Sequence, residues 1–252
     1  MTQYSVDQIA LFLLFAAAAV IFVALFFITA PYGRYLRRGW GPSISSTLGW
    51  VIMESVAAIT IFAVFFLSDR TAQPVAIVFL IMWQAHYLYR SYIFPFRRKG
   101  ARSMPVAVVV MGMFFNLWNG YLNGNELFLN GVDRGIEWCC DPRFIIGLAL
   151  FVTGAGINHQ SDSILFKLRA PGETGYKIPN GGLYRYVSMP NYLGELVEWC
   201  GWALATWTLA GLAFALFTAA NLVPRALANH RWYKEQFPDY PKERKAIIPF
   251  VF

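Results

Sequence analysis

Apolar residues gather into seven long stretches along the chain, at about 9–30, 50–67, 75–94, 106–122, 144–157, 192–207 and 209–227. A helix needs about 20 apolar residues to cross a bilayer, and most of these runs approach that length. Pro31 with Gly33, Gly39 with Pro42, Pro74, Gly100 with Pro105, and Pro142 fall between them, as turn residues do between helices. Only the last boundary, near Thr208, lacks such a mark. The first run is too long for a signal-peptide core and no basic residue precedes it, so it reads as a retained span. Apart from a short alanine run, no internal repeat or low-complexity segment is present.

Composition narrows the class. Hydrophobic residues make up 57% of the 252 positions and charged residues 14%, against about 25% charged in an ordinary soluble domain. A soluble enzyme, a disordered chain and a nucleic-acid-binding protein are all poor readings. Lys and Arg then set the topology, because cytoplasmic loops carry their excess. With seven spans and the N-terminus outside, 18 of the 21 basic residues fall on the inner side, and only Arg70, Arg134 and Arg143 lie outside. The expectation is an all-α polytopic membrane protein, one membrane-embedded domain over 1–252, with seven transmembrane helices and a cytoplasmic C-terminus. The membrane expected is the cytoplasmic membrane in a bacterium and that of the endoplasmic reticulum in a eukaryote. Three cysteines, Cys139 and Cys140 adjacent, give neither a disulfide framework nor a metal spacing. With three histidines at no metal-type spacing, no metal is assigned.

Polar groups inside the apolar runs are the next signal. Glu54 has Trp50, Val51, Ala57 and Ala58 as its helical neighbours, none of which satisfies a carboxyl. Acidic groups in a span cost about 2.5–3.5 kcal/mol on insertion scales and usually mark a site. A protonated Glu bonded to another helix for packing is the bland alternative. Gln84, Tyr87, Arg90, Ser91 and Phe94 make one stripe on the third run, and Tyr87 could face Glu54; it could equally be an interfacial anchor. His86 points elsewhere and reads as a helix-contact residue.

Three more stripes lie on the inner side: Asn158, Asp162 and Arg169; Asn191, Glu195 and Glu198; and Arg225, Asn229 and Tyr233, with His230 alongside. The segment 170–190 between the first two is rich in Gly and Pro, with Tyr176, Lys177, Tyr184 and Tyr186 interleaved. Cations for phosphates, amides and acids for ribose or base, and aromatics for ring packing suit a nucleotide held on the cytoplasmic side. The motif at 154–159 lacks the third glycine and the βαβ setting of a Rossmann site, and no Walker A sequence occurs.

These residues resemble the steroid 5α-reductase family. The likeness is densest over 144–252, through Gly154-Ala-Gly156-Ile-Asn158, Ser161-Asp162, Pro171-Gly172-Glu173, Asn191 with Leu193-Gly194-Glu195, and Glu198-Trp199. Asp239-Tyr240-Pro241, Arg244-Lys245-Ala246 and Ile248-Pro249-Phe250 are the most specific. The first half matches more thinly, through Gly49-Trp50, Glu54, His86-Tyr87 and Arg90.

The resemblance, with the type 2 enzymes as the expected neighbours, implies NADPH-dependent reduction of the Δ4 double bond of a 3-oxo-Δ4-steroid such as testosterone or progesterone. It implies catalytic roles for Glu54 and Tyr87, with Trp50 and Met53 beside them on the substrate side. Met53 stands where the family commonly has Gln. The implied cofactor set is Arg90, Arg102, Asn158, Asp162, Arg169, Tyr176, Lys177, Asn191, Glu195, Trp199, His230 and Tyr233; Lys177 replaces a frequent Arg, keeping charge but losing the guanidinium fork. Residues 1–122 would then serve mainly the substrate and 144–252 mainly NADPH, in a functional monomer whose other partner is membrane lipid. The rivals are a membrane enone or enoyl reductase acting on a sterol, polyprenol or fatty enoyl thioester, a methyltransferase of the isoprenylcysteine type using S-adenosylmethionine, and a non-catalytic sterol carrier or sensor.

Overall fold

The computed structural model describes residues 5–98, 103–168, 170, 173 and 175–252. Helices form at each of the seven apolar stretches. They are α1 (Val6–Phe27), α2 (Ser46–Phe66), α3 (Pro74–Leu88), then the short α4 (Phe94–Arg97), α5 (Val106–Gly124), α6 (Pro142–Lys167), α7 (Pro190–Thr206) and α8 (Leu209–Gln236). Their starts follow from local chemistry. Ser5 and Gln8 form a reciprocal capping box on α1. Pro74, Pro142 and Pro190 begin α3, α6 and α7, where a missing N–H costs nothing. The unmarked boundary after α7 is made by Trp207, whose left-handed backbone (φ 48°) ends the helix, and by Thr208, whose side chain caps α8.

Three features depart from expectation. Ser43–Ser45 (β1) pairs antiparallel with Ser103–Pro105 (β2), so the all-α fold carries one two-stranded clip. Helices α6 and α8 run on past the apolar stretches, to Lys167 and Gln236, because the backbone ladder does not need an apolar environment to continue. Five helices among the described residues are long and apolar enough to cross a membrane: Val6–Phe27, Ser46–Phe66, Val106–Leu129, Pro142–Lys167 and Leu209–Gln236. α3 and α7, with 15 and 17 residues, are shorter. α3 is prolonged by a wider π-helical turn, Tyr89–Ile93, that leads into α4.

α6 and α7 pack backbone against backbone. Gly147 and Gly154 on α6 alternate with Gly194 and Gly201 on α7, and a Cβ at any of the four would overlap the opposite main chain. Small residues allow this approach between membrane helices. The largest side chains fill the centre: Trp83, Trp199 and Trp202 interlock with Phe214, with Trp199 and Phe214 rings 4.2 Å apart. Outward faces stay apolar, as with Phe12, Val20 and Phe27 of α1. That is the surface lipid would cover.

Residues after α8 fold back on the segment before α7. Ser188 and Met189 donate main-chain hydrogen bonds to Lys245 and Ala246, and Lys245 donates to Tyr186. The polar stripes, the strand clip and this tail all gather at one end of the bundle, where Arg34, Arg90, Arg98 and Arg225 also lie.

Candidate active site

Glu54 lies two turns into α2. Its Oε1 is 4.0 Å from Arg90 Nε, and its Oε2 is 3.5 Å from Asn116 Nδ2 on α5. Arg90 sits in the π-helical turn, where an extra residue re-aims the side chains. Its other arm is 3.9 Å from Glu195 Oε2 on α7, and its plane covers Trp50 at 4.6 Å and Phe94 at 4.3 Å. One guanidinium thus joins two carboxyls from different helices. Tyr87, 3% exposed, packs on Trp83 at 4.9 Å and Trp199 at 5.9 Å, and Glu54, Glu195 and Arg90 lie within electrostatic range of it. On the same helix His86 shares a 2.8 Å hydrogen bond with the buried Glu198.

A second polar group crosses the α6–α7 seam. Asn158 Nδ2 donates to the Asn191 carbonyl at 2.9 Å, and Asn191 Nδ2 donates to Asp162 Oδ1 at 3.1 Å. Asp162 Oδ2 and Asn191 Oδ1 are buried with no hydrogen-bond partner among the described residues. Such atoms call for one.

Asn191 also lines a cavity of about 190 Å³ between the end of α1, the start of α7 and α8. Arg34, Arg98 and Arg225 reach it, with Tyr32, Tyr192 and Asn229. Arg225 donates to Asn221 Oδ1 at 2.9 Å and to Tyr192 Oη at 3.1 Å. Arg34 is boxed by Tyr176, Trp232 and Tyr233, with ring centroids 4.4–4.8 Å away, and its Nη1 is buried with no hydrogen-bond partner among the described residues. Burial pushes the Tyr32 hydroxyl above its usual range, so it is held as a neutral donor. Burial, and then Arg90, pull Arg98 below the usual guanidinium value. Three guanidiniums with phenol donors around one cavity suit an anion with several oxygens. The unpartnered acid and amide oxygens beside it suit hydroxyl or amide donors. That donor set fits a dinucleotide.

The residues read from sequence fall into groups. Glu54, Tyr87, Arg90 and Glu195 come together, as do Asn158, Asp162 and Asn191, with Trp50 on the arginine side. Tyr233 meets Tyr176 around Arg34. Lys177 is exposed and paired with Glu173 at 2.7 Å. His230 Nδ1 is 2.6 Å from Ser188 Oγ, which also contacts Tyr240 Oη at 2.7 Å, so it ties the tail to α8. Trp199 is enclosed in the aromatic centre, 1% exposed. Met53 seats its thioether in a notch left by Gly112 on α5, where a Cβ would overlap it. Arg102 and Arg169 lie outside the described residues. Arg34, Arg98, Tyr192 and Asn116 were not singled out by sequence. Asn116 had a faint signal, heading a stripe with Asn119 and Asn123.

Apolar spanning helices, a buried carboxyl–guanidinium cluster and a cationic cavity at one end together define an integral membrane protein with an enzyme-like site. The family model for 3-oxo-5-alpha-steroid 4-dehydrogenase matches residues 102–252. A steroid 5-alpha-reductase DET2 of Gossypium hirsutum is 41% identical over 244 residues, 95% of this chain and 95% of the relative. A 3-oxo-5-alpha-steroid 4-dehydrogenase 1 of Bos taurus is 41% identical over 240 residues (94% and 93%), and that of Homo sapiens is 42% identical over 224 residues (88% and 86%). The chain belongs to the steroid 5-alpha-reductase family, oxidoreductases acting on CH–CH groups. These relatives are DET2 and type 1 enzymes, and the expected likeness to type 2 enzymes in particular stays an expectation.

Proposed function

We propose that the protein reduces the Δ4 double bond of a 3-oxo-Δ4-steroid, using NADPH bound at the basic end of a seven-span bundle whose C-terminus is cytoplasmic. The observation that carries this reading is the Glu54–Arg90–Glu195 bridge, which joins α2 to α7 through the turn that follows Tyr87.

In this reading, Arg34, Arg98 and Arg225 hold phosphate oxygens, and Asp162 and Asn191 take hydroxyl or amide donors. Bound NADPH supplies a hydride to C5 of the steroid. The Tyr87 hydroxyl donates a hydrogen bond to the C3 carbonyl oxygen, and Glu54 orients that phenol. Electron density is thereby drawn from the conjugated C5, and Tyr87 faces the oxygen on which negative charge grows before C4 takes a proton. A donor preorganised toward such charge in a dry site contributes about 2.7–4 kcal/mol. The aromatic packing of Trp83 and Trp199 around Tyr87 excludes water from the phenol.

Family membership favours reduction over methyl transfer or simple sterol binding. The test incubates purified protein in detergent with NADPH and testosterone or progesterone. The expected result is NADPH oxidation matched by a product two mass units heavier, with the 5α configuration. Stabilisation against heat by S-adenosylmethionine alone, or steroid binding with no NADPH oxidation, would reject the reading.

A further inference from the structure

We propose that Asn116 on α5 is a positioning residue for Glu54. The proposal rests on the reading that Glu54 serves catalysis. Asn116 is 4% exposed and faces α2 with its amide nitrogen. That nitrogen donates to the Met53 carbonyl at 2.7 Å and lies 3.5 Å from Glu54 Oε2. An amide group has two hydrogens, enough for both, and a helical carbonyl has a second lone pair to accept one. One side chain therefore fixes both the main chain at residue 53 and the carboxyl at residue 54.

The placement of α5 makes this hold stiff. One turn before Asn116, Gly112 receives Met53; one turn after, Gly120 lies against Thr60. The opposite carboxyl oxygen has Arg90 at 4.0 Å, beyond hydrogen-bond length. With the amide removed, the carboxyl loses its nearest donor and is free to swing toward Arg90.

The test is a double-mutant cycle on kcat, with Asn116→Leu, Glu54→Gln and the pair. Leu has the same branching at Cγ with somewhat greater volume and is a better helix former than Asn, so loss of α5 does not account for the effect. Asn116→Leu is expected to lower kcat by about tenfold, as for losing a buried hydrogen bond, with steroid KM and NADPH affinity kept. In the Glu54→Gln background the same change is expected to cost little further. Equal losses in both backgrounds, or an unchanged kcat in Asn116→Leu, would overturn the positioning role. Near-normal turnover in Glu54→Gln alone would instead overturn the underlying reading. Should Asn116→Leu fail to accumulate, Asn116→Ala removes the same donor and is judged by the same outcomes.

Discussion

His86 on α3 and Glu198 on α7 share a hydrogen bond of 2.8 Å in which both side chains are nearly closed to solvent. The pair ties the helix carrying Tyr87 to the helix carrying Glu195, one residue from the first and three from the second. Removing one partner leaves the other buried with nothing to satisfy it. His86→Ala is therefore expected to destabilise the protein by about 3 kcal/mol. Thermal melting in detergent checks this, and an unchanged midpoint would show that the pair contributes nothing to holding α3 on α7.

Tyr87 and Glu54 carry the chemistry in the proposed reaction, while the cavity residues carry the cofactor. Tyr87→Phe removes one hydroxyl from a site packed by Trp83 and Trp199, so the fold is kept. Tyr87→Phe and Glu54→Gln are each expected to lower turnover by about 10²-fold, with NADPH affinity retained. Single-turnover rates and a fluorescence titration separate the two quantities. Normal rates in both variants would remove the electrophilic role.

Arg225 is expected to matter for affinity rather than for the chemical step. It stands in the cavity wall, held by Asn221 and Tyr192. Arg225→Leu is expected to raise the NADPH Kd by about tenfold or more, and Arg225→Lys by less, since charge survives and the planar fork does not. The steroid KM at saturating NADPH is expected to stay the same. Isothermal titration of NADPH distinguishes this from a general loss of folding.

Gly154 allows α6 to lie against the main chain of Glu198 on α7. Gly154→Ala places a methyl group where that backbone runs, and overpacking of this kind costs about 1–3 kcal/mol. The helices must part, and Asn158 and Asp162 move away from Asn191 as they do. The expected outcome is a lower melting temperature together with weaker NADPH binding. A lower melting temperature with unaltered binding would show that the seam does not set the geometry of this polar group.

Hydrophobic runs located every main helix, because burying or lipid-facing apolar surface leaves a mark at each position. Helical spacing also grouped Asn158 with Asp162 and found Glu54 as an acid in apolar surroundings. What the chain could not show was convergence between distant segments. Arg34 and Tyr233 meet from 199 positions apart, and no local pattern on either side announces the other. β1 and β2 are three residues each, too short for an alternating pattern to stand out. Hydropathy alone ends α6 and α8 early, but the helical spacing of Asn158 with Asp162 and of Asn229 with Tyr233 already marks the polar turns through which both helices run on. The resemblance sets Met53 on the substrate side, and the sequence carries no trace of its seat against Gly112, on a helix nearly sixty residues later.

That seat makes positions 53 and 112 one unit of inheritance. A longer or more polar side chain at 53 has to fit a cleft shaped for a thioether, and any side chain at 112 fills the cleft and turns residue 53 out. Gln, nearly the length of Met, uses the same cleft only while position 112 stays bare, so the glycine is inherited with whichever long side chain occupies position 53.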